Sequence, residues 1–244
     1  MPDLPSRRSA RPTGSRPITA GLTSTVRALL IANAVLFGAF ILVRPLRTAM
    51  LTHLAVGPGL FAGEVWQPIT ALFVHFEIWS FIFTMIGIWW VGASFERTQG
   101  TRRFLGVYLT AGVLANLAFG LVAHLGYVRT GGIFAGGSLA VLALFVAFGR
   151  IFGKAPMQII GGLTLQARTI AMIYVAWSVV VCLSGSETAV PELAATAVAT
   201  AVGYFGAAPG GFDALRDALK IRRLRRRYRV IDGGAGRPPK NYVN

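Results

Sequence analysis

A serine hydroxyl attacks a carbonyl at neutral pH only when a base within hydrogen-bond reach takes its proton and donors stabilise the developing oxyanion. Ser138, in the stretch Gly136-Gly137-Ser138-Leu139-Ala140, is the candidate for such a role, and few bases could serve it. The chain has 3 histidines, His53, His75 and His124, and no lysine falls in an apolar run, which removes a Ser/Lys pair. Glu77 and Glu96 stand near the ends of one apolar run, where acids invite a functional reading. Glu77 is expected near an interface, solvated or facing a polar cavity. Glu96, next to Arg97, is expected to order a turn by hydrogen bonds and ion pairing. The single Cys182 lies among apolar residues and reads as a small packed hydrophobe, since one thiol makes neither an internal disulfide nor a metal site. No metal or cofactor is expected. The glycines beside Ser138 also have a structural reading: Gly132, Gly136 and Ala140 form one small-residue ridge and Ala195, Ala199 and Gly203 another, allowing two helices to pack backbone to backbone.

The elements that must position these residues belong in a membrane. The chain is 54% hydrophobic and 14% charged, whereas soluble domains are about a quarter charged. Crossing about 30 Å of hydrocarbon takes roughly 20 apolar residues, and six runs qualify, near 25–45, 69–95, 103–125, 132–152, 165–185 and 189–208. The expected fold is all-α, a polytopic bundle of six transmembrane helices over residues 25–208. A disordered basic leader (1–24) precedes it and a basic amphipathic tail (209–244) follows.

The net charge of +15 would suggest nucleic acid in a soluble protein, but its placement points to a membrane surface and excludes a nucleic-acid partner. All of the 24 Lys and Arg except Arg44, Arg47 and Arg129 lie at the chain ends or in two loops on one side of the expected bundle. The positive-inside rule then places both termini in the cytoplasm. In the tail, Phe212, Leu215, Leu219 and Tyr228 recur near helical spacing opposite many arginines, the pattern of a surface helix that holds anionic lipid headgroups. The connection 46–68, with Pro58, Trp66 and Pro68, reads as a segment lying partly in the interface. His53 within it is expected to face water or headgroups, and His124, ending the third run, to be solvated at the interface.

Four stretches follow one another in order: Gly63-Glu64-Val65-Trp66-Gln67-Pro68-Ile69-Thr70, then Phe73-Val74-His75-Phe76, then Gly92-Ala93-Ser94-Phe95-Glu96-Arg97, then Gly100-Thr101-Arg102-Arg103-Phe104. With Gly136-Gly137-Ser138, this series resembles the rhomboid family of intramembrane serine proteases. That family carries a Trp-Arg pair in its first loop, a His at the start of its second helix, a G-x-x-x-E-x-x-x-G-x-x-[RK]-F element at the cytoplasmic turn and a G-x-S-x nucleophile motif. The resemblance covers about residues 60–208. It implies a rhomboid-like bundle, in a bacterial inner membrane, with Ser138 at the nucleophile position and Gly136, His75, Ser80, Thr84 and Thr196 around the pocket.

Three departures bear on activity. The family's histidine in the sixth helix, within an A-H-x-x-G-like segment, is here Thr196, which cannot accept a proton at neutral pH. The family's H-x-x-x-x-H-x-x-x-N reads as His75, Ser80 and Thr84, so two strong donors have become short hydroxyls. Gln67 stands where the family has Arg. The resemblance therefore implies a pseudoprotease that binds transmembrane clients. The competing expectation is an active intramembrane serine endopeptidase with Ser138 as nucleophile and a base other than Thr196.

Overall fold

The structure, a computed structural model, describes residues 21–127, 132–158, 164–184 and 187–208. Most of the basic leader, the loop residue Arg129 and the whole tail from 209 lie outside the described residues. The helices are α1 (Ser24–Leu42), α2 (Arg44–His53), α3 (Gln67–Thr70), α4 (Ile78–Gly87), α5 (Ala93–Gln99), α6 (Thr101–Val122), α7 (Ser138–Ile151), α8 (Ala167–Ser184) and α9 (Ala189–Gly206). A π-helical turn, Ile88–Gly92, joins α4 to α5 without a break, and α6 runs on through a second such turn. One feature departs from the all-α expectation: β1 (Pro156–Gln158) and β2 (Thr164–Gln166) pair antiparallel between α7 and α8.

Among the described residues, four helices are long and apolar enough to cross a membrane: Ser24–Leu42, Ile78–Gln99, Thr101–Gly126 and Ala167–Ser184. Their outward faces carry Ile31, Val35, Trp89, Leu121, Val180 and Leu183, all exposed. Such a surface suits lipid and not water, so the chain is an integral multi-pass membrane protein. The other two runs give shorter or more polar helices. The run at 132–152 yields a helix of only 14 residues, because the stretch before Ser138 is drawn into extended backbone: Phe134 pairs with Val56, and Gly136 takes φ +126. The run at 189–208 yields an 18-residue helix whose first turns hold Pro191 and Glu192. The second run also starts late, at Ile78 and not 69, because residues 67–73 form two short helical turns and Val74 and Glu77 are extended.

The short helix α7 is the axis of the bundle, with α4, α6, α8 and α9 packed around it. Ala140, Val141, Leu142, Ala143, Leu144 and Ala147 are fully buried. Small residues permit the approach: a Cβ on Gly203 of α9 would lie 2.4 Å from the Ala143 carbonyl oxygen, and one on Gly149 of α7 would lie 2.5 Å from the Ala171 Cβ. The α9 ridge of Ala195, Ala199 and Gly203 is thus used as expected. The ridge expected across Gly132, Gly136 and Ala140 is not, since only Ala140 is helical and α7 meets Gly203 through Ala143.

At the opposite end of the bundle from Ser138, Glu96 is 6% exposed and clasps two segments. It accepts hydrogen bonds from Thr23 Oγ1 (2.5 Å) and Thr101 Oγ1 (2.7 Å), fastening the start of α1 to the α5–α6 turn. Gly100 makes that turn at φ +82, a conformation open to glycine at little cost.

Two stability outcomes follow. Gly203→Val forces a side chain onto backbone and should cost about 3 kcal/mol or more in the detergent-solubilised protein, beyond the usual overpacking range of about 1–3 kcal/mol; Gly38→Ala, which meets nothing within 4 Å, should be neutral or mildly stabilising. Glu96→Leu should lower the unfolding temperature more than Glu64→Leu, because it removes the two charge-assisted hydrogen bonds from Thr23 and Thr101 that fasten α1 to the α5–α6 turn.

Candidate functional site

Placement of Ser138 depends on a turn that only glycine fits comfortably. The Gly136 N–H donates to the Ala71 carbonyl at 2.8 Å, and the Val56–Phe134 bridge, with bonds of 2.8 and 2.9 Å, holds the residues before it. A Cβ at Gly136 would combine a positive φ with neighbours at 3.3 Å (Ser80 Oγ) and 3.6 Å (His75 Nδ1). Gly137 then precedes α7, and Ser138 is the first helical residue, with its backbone N–H at the open amino end.

Ser138 opens onto a cavity of about 590 Å³ between α4 and α8, floored by the starts of α7 and α9. Trp79, Phe83 and Trp90 form one wall and Ile173, Tyr174 and Trp177 the other, while Phe145 of α7 stacks on Tyr174 with centroids 4.4 Å apart. Polar groups gather toward the Ser138 end: Ser80, Ser138, Ser178, Cys182, Thr196, Glu77 and Glu192. Thr196 Oγ1 and Cys182 Sγ are 3.5 Å apart, and Glu192 Oε1 accepts a 2.7 Å bond from Thr188 Oγ1.

The residues singled out from the sequence divide into two groups. Ser80, Ser138 and Thr196 line the cavity; His75, Thr84 and Gly136 stand behind it. The pocket of four hydroxyls therefore opens to the cleft through three of them, because Thr84 is fully buried on the α7 side of α4, against Gly137. His75 is also fully buried, and its protonation pattern follows from its neighbours. Asn33 Nδ2 donates to the Leu29 carbonyl at 2.8 Å, which turns Asn33 Oδ1 toward His75 Nε2 at 3.1 Å. An acceptor there requires the proton on Nε2, so Nδ1 carries a lone pair. That Nδ1, Thr84 Oγ1 and Tyr108 Oη are buried with no hydrogen-bond partner among the described residues, and all three border the Gly136–Gly137 turn.

The other candidates have local partners. Gln67, fully buried, holds the 46–68 connection with hydrogen bonds: its Nε2 donates to Glu64 Oε2 (2.6 Å) and the Thr52 carbonyl (3.2 Å), and its Oε1 accepts from the Gly57 N–H (3.0 Å). The side chain of His53 is 58% exposed and meets Glu64 at 2.5 Å. His124 stacks on Phe61 at 4.0 Å. None of the three histidines lines the cavity.

Two residues that the sequence reading passed over prove central. Asn33 was a single amide in a long apolar run, and its meeting with His75, 42 positions away, has no local signal. Glu192 was legible: it precedes Thr196 by four residues, which places both on one helix face. Among the described residues no group of three or more His, Cys, Asp or Glu could hold a metal ion.

Comparison with known proteins completes the picture. The rhomboid domain family model matches residues 62–209, more than half of the chain. Rhomboid protease GluP of Bacillus subtilis (strain 168) is 38% identical over 56 residues, covering 23% of this chain and 11% of that protein. Rhomboid-like protease 3 of Toxoplasma gondii is 30% identical over 71 residues (29% and 27% of the two chains), and Rhomboid-like protease 2 of the same organism 33% identical over 82 residues (34% and 27%). The matched stretches thus span a minor part of each of these three relatives. With the glycine turn that presents Ser138 and the Glu96 clasp in place, the match over 62–209 establishes that this chain belongs to the rhomboid family.

Proposed function

We propose that this protein is a proteolytically inactive rhomboid that binds transmembrane segments of other proteins in the cleft between α4 and α8. In this reading it crosses the membrane six times with both termini in the cytoplasm, and the basic tail rests on anionic lipid headgroups. The observation that carries it is the environment of Ser138. Thr196 stands where the family's dyad histidine would be, its hydroxyl lies against the Cys182 thiol, and no histidine or lysine lines the cavity. A serine without a proton acceptor is a poor nucleophile, and with Ser80 and Thr84 in place of stronger donors the oxyanion is also weakly held; loss of even one such donor costs about 100- to 1000-fold in rate. What the cleft keeps is shape: an open, aromatic-walled groove of about 590 Å³.

One observation favours the second reading, an active serine endopeptidase. His75 presents an unpaired Nδ1 toward the Gly136 turn with its tautomer fixed by Asn33, the arrangement in which an imidazole acts as a base. It is sealed behind that turn, on the side opposite Thr196.

Labelling with a fluorescent fluorophosphonate separates the two readings. Wild type is expected to stay unlabelled, Thr196→His to gain label, and that gain to vanish in the Ser138→Ala, Thr196→His double variant. Wild-type labelling lost in both Ser138→Ala and His75→Ala would establish the active enzyme with His75 as its base. Association with a transmembrane client, by contrast, should survive Ser138→Ala.

A further inference from the structure

The client cleft is asymmetric in charge. Its two carboxylates, Glu77 and Glu192, come from different elements, and among the described residues that line it there is no lysine, arginine or histidine. Glu77 immediately precedes α4 and Glu192 sits in the first turn of α9, so both stand at the Ser138 end. Glu77 is exposed and Glu192 half-buried; the latter's Oε1 accepts from the Thr188 hydroxyl, and the Cys182 thiol also lies beside it, both neutral partners that bring no positive charge. Below them the walls are aromatic, with Trp79 and Trp177 each more than half exposed.

A half-buried carboxylate beside an apolar groove is poorly solvated and gains from a cation that arrives with the groove's occupant. Indole faces add attraction for the same cation. An amine on an apolar helix has the complementary difficulty: it is costly to hold within a bilayer and reaches for the nearest interface along its flexible stem. Resting on the client-binding reading above, we propose that the cleft selects transmembrane helices carrying a lysine or arginine near the membrane boundary at the Ser138 end, the cation lying between Glu77 and Glu192 and the apolar turns against the tryptophan walls. The two carboxylates are specificity-determining residues, and the aromatic walls supply affinity that does not depend on client charge.

The test uses the full-length protein in phosphatidylglycerol vesicles, which present no headgroup cation as a competitor. Two dansyl-labelled peptides, each an apolar Leu/Ala helix of roughly 20 residues, differ only at one position in each terminal turn, Lys in one and Gln in the other, so that either insertion direction presents the group. Energy transfer from the protein's tryptophans reports occupancy, and partition into protein-free vesicles is subtracted. The Lys peptide should bind about tenfold more tightly, the size of a single well-placed charge pair. Glu77→Gln and Glu192→Gln should each reduce that preference, and the double variant should bring the Lys and Gln peptides to equal binding. Glu192→Gln keeps an acceptor for Thr188, and Glu77→Gln alters an exposed side chain, so both variants should fold. Equal binding of the two peptides by wild type, or a preference that survives the double variant, would overturn the cation rule and leave client binding standing. Binding of neither peptide would overturn both.

Discussion

The contact on which the molecule turns is that of α7 with its surroundings. An axial helix of 14 residues can be enclosed by neighbours on all sides only where backbones approach to van der Waals distance, and Gly203 against Ala143 with Gly149 against Ala171 supplies that approach. In lipid there is no aqueous driving force between helices, so association rests on close packing of this kind. Everything chemical follows from where α7 begins. The Gly136 turn starts the helix at Ser138 and not six residues earlier, and this sets the hydroxyl, the start of α9 and the aromatic faces of α4 and α8 around one cavity.

The same packing explains why the site has the character it does. Polar residues near Ser138 fall into two shells separated by the Gly136–Gly137 turn. On the cleft side, among the described residues, are hydroxyls, one thiol and two carboxylates, with no histidine or lysine. On the sealed side are Asn33, His75, Thr84 and Tyr108, of which only the Asn33–His75 pair is matched. The His75 imidazole and the Ser138 hydroxyl thus face different compartments of the bundle.

Much of this was legible in the chain itself. Hydropathy located the long helices, and the ordered motifs from Gly63 to Phe104 identified the family, because glycines, a buried acid and turn residues at fixed offsets leave a one-dimensional trace. The errors share a physical cause. Residues 132–137 are as apolar as any helix, yet Gly136 needs a positive φ and Phe134 is tied to Val56, so composition misjudged the start of α7. Val74 and Glu77 likewise pass as part of a run, although they are extended. The strands Pro156–Gln158 and Thr164–Gln166 are too brief for any period to reveal. Pairings across the bundle, such as Asn33 with His75, depend on packing angles that no local pattern encodes, whereas Glu192 beside Thr196 obeys simple helical spacing and could have been read.

The brevity of α7 has a mechanical meaning. Fourteen residues at a helical rise cover about 21 Å, well short of a hydrocarbon layer of about 30 Å. Because protein and not lipid surrounds it, this helix has no length to match to the bilayer. That obligation falls on the outer ring, including Ile78–Gln99 and the largely lipid-facing Ala167–Ser184, which are the walls of the cleft. Thickening or thinning of the membrane thus acts on the tilt of the two walls, while the floor that carries Ser138 is insulated from it.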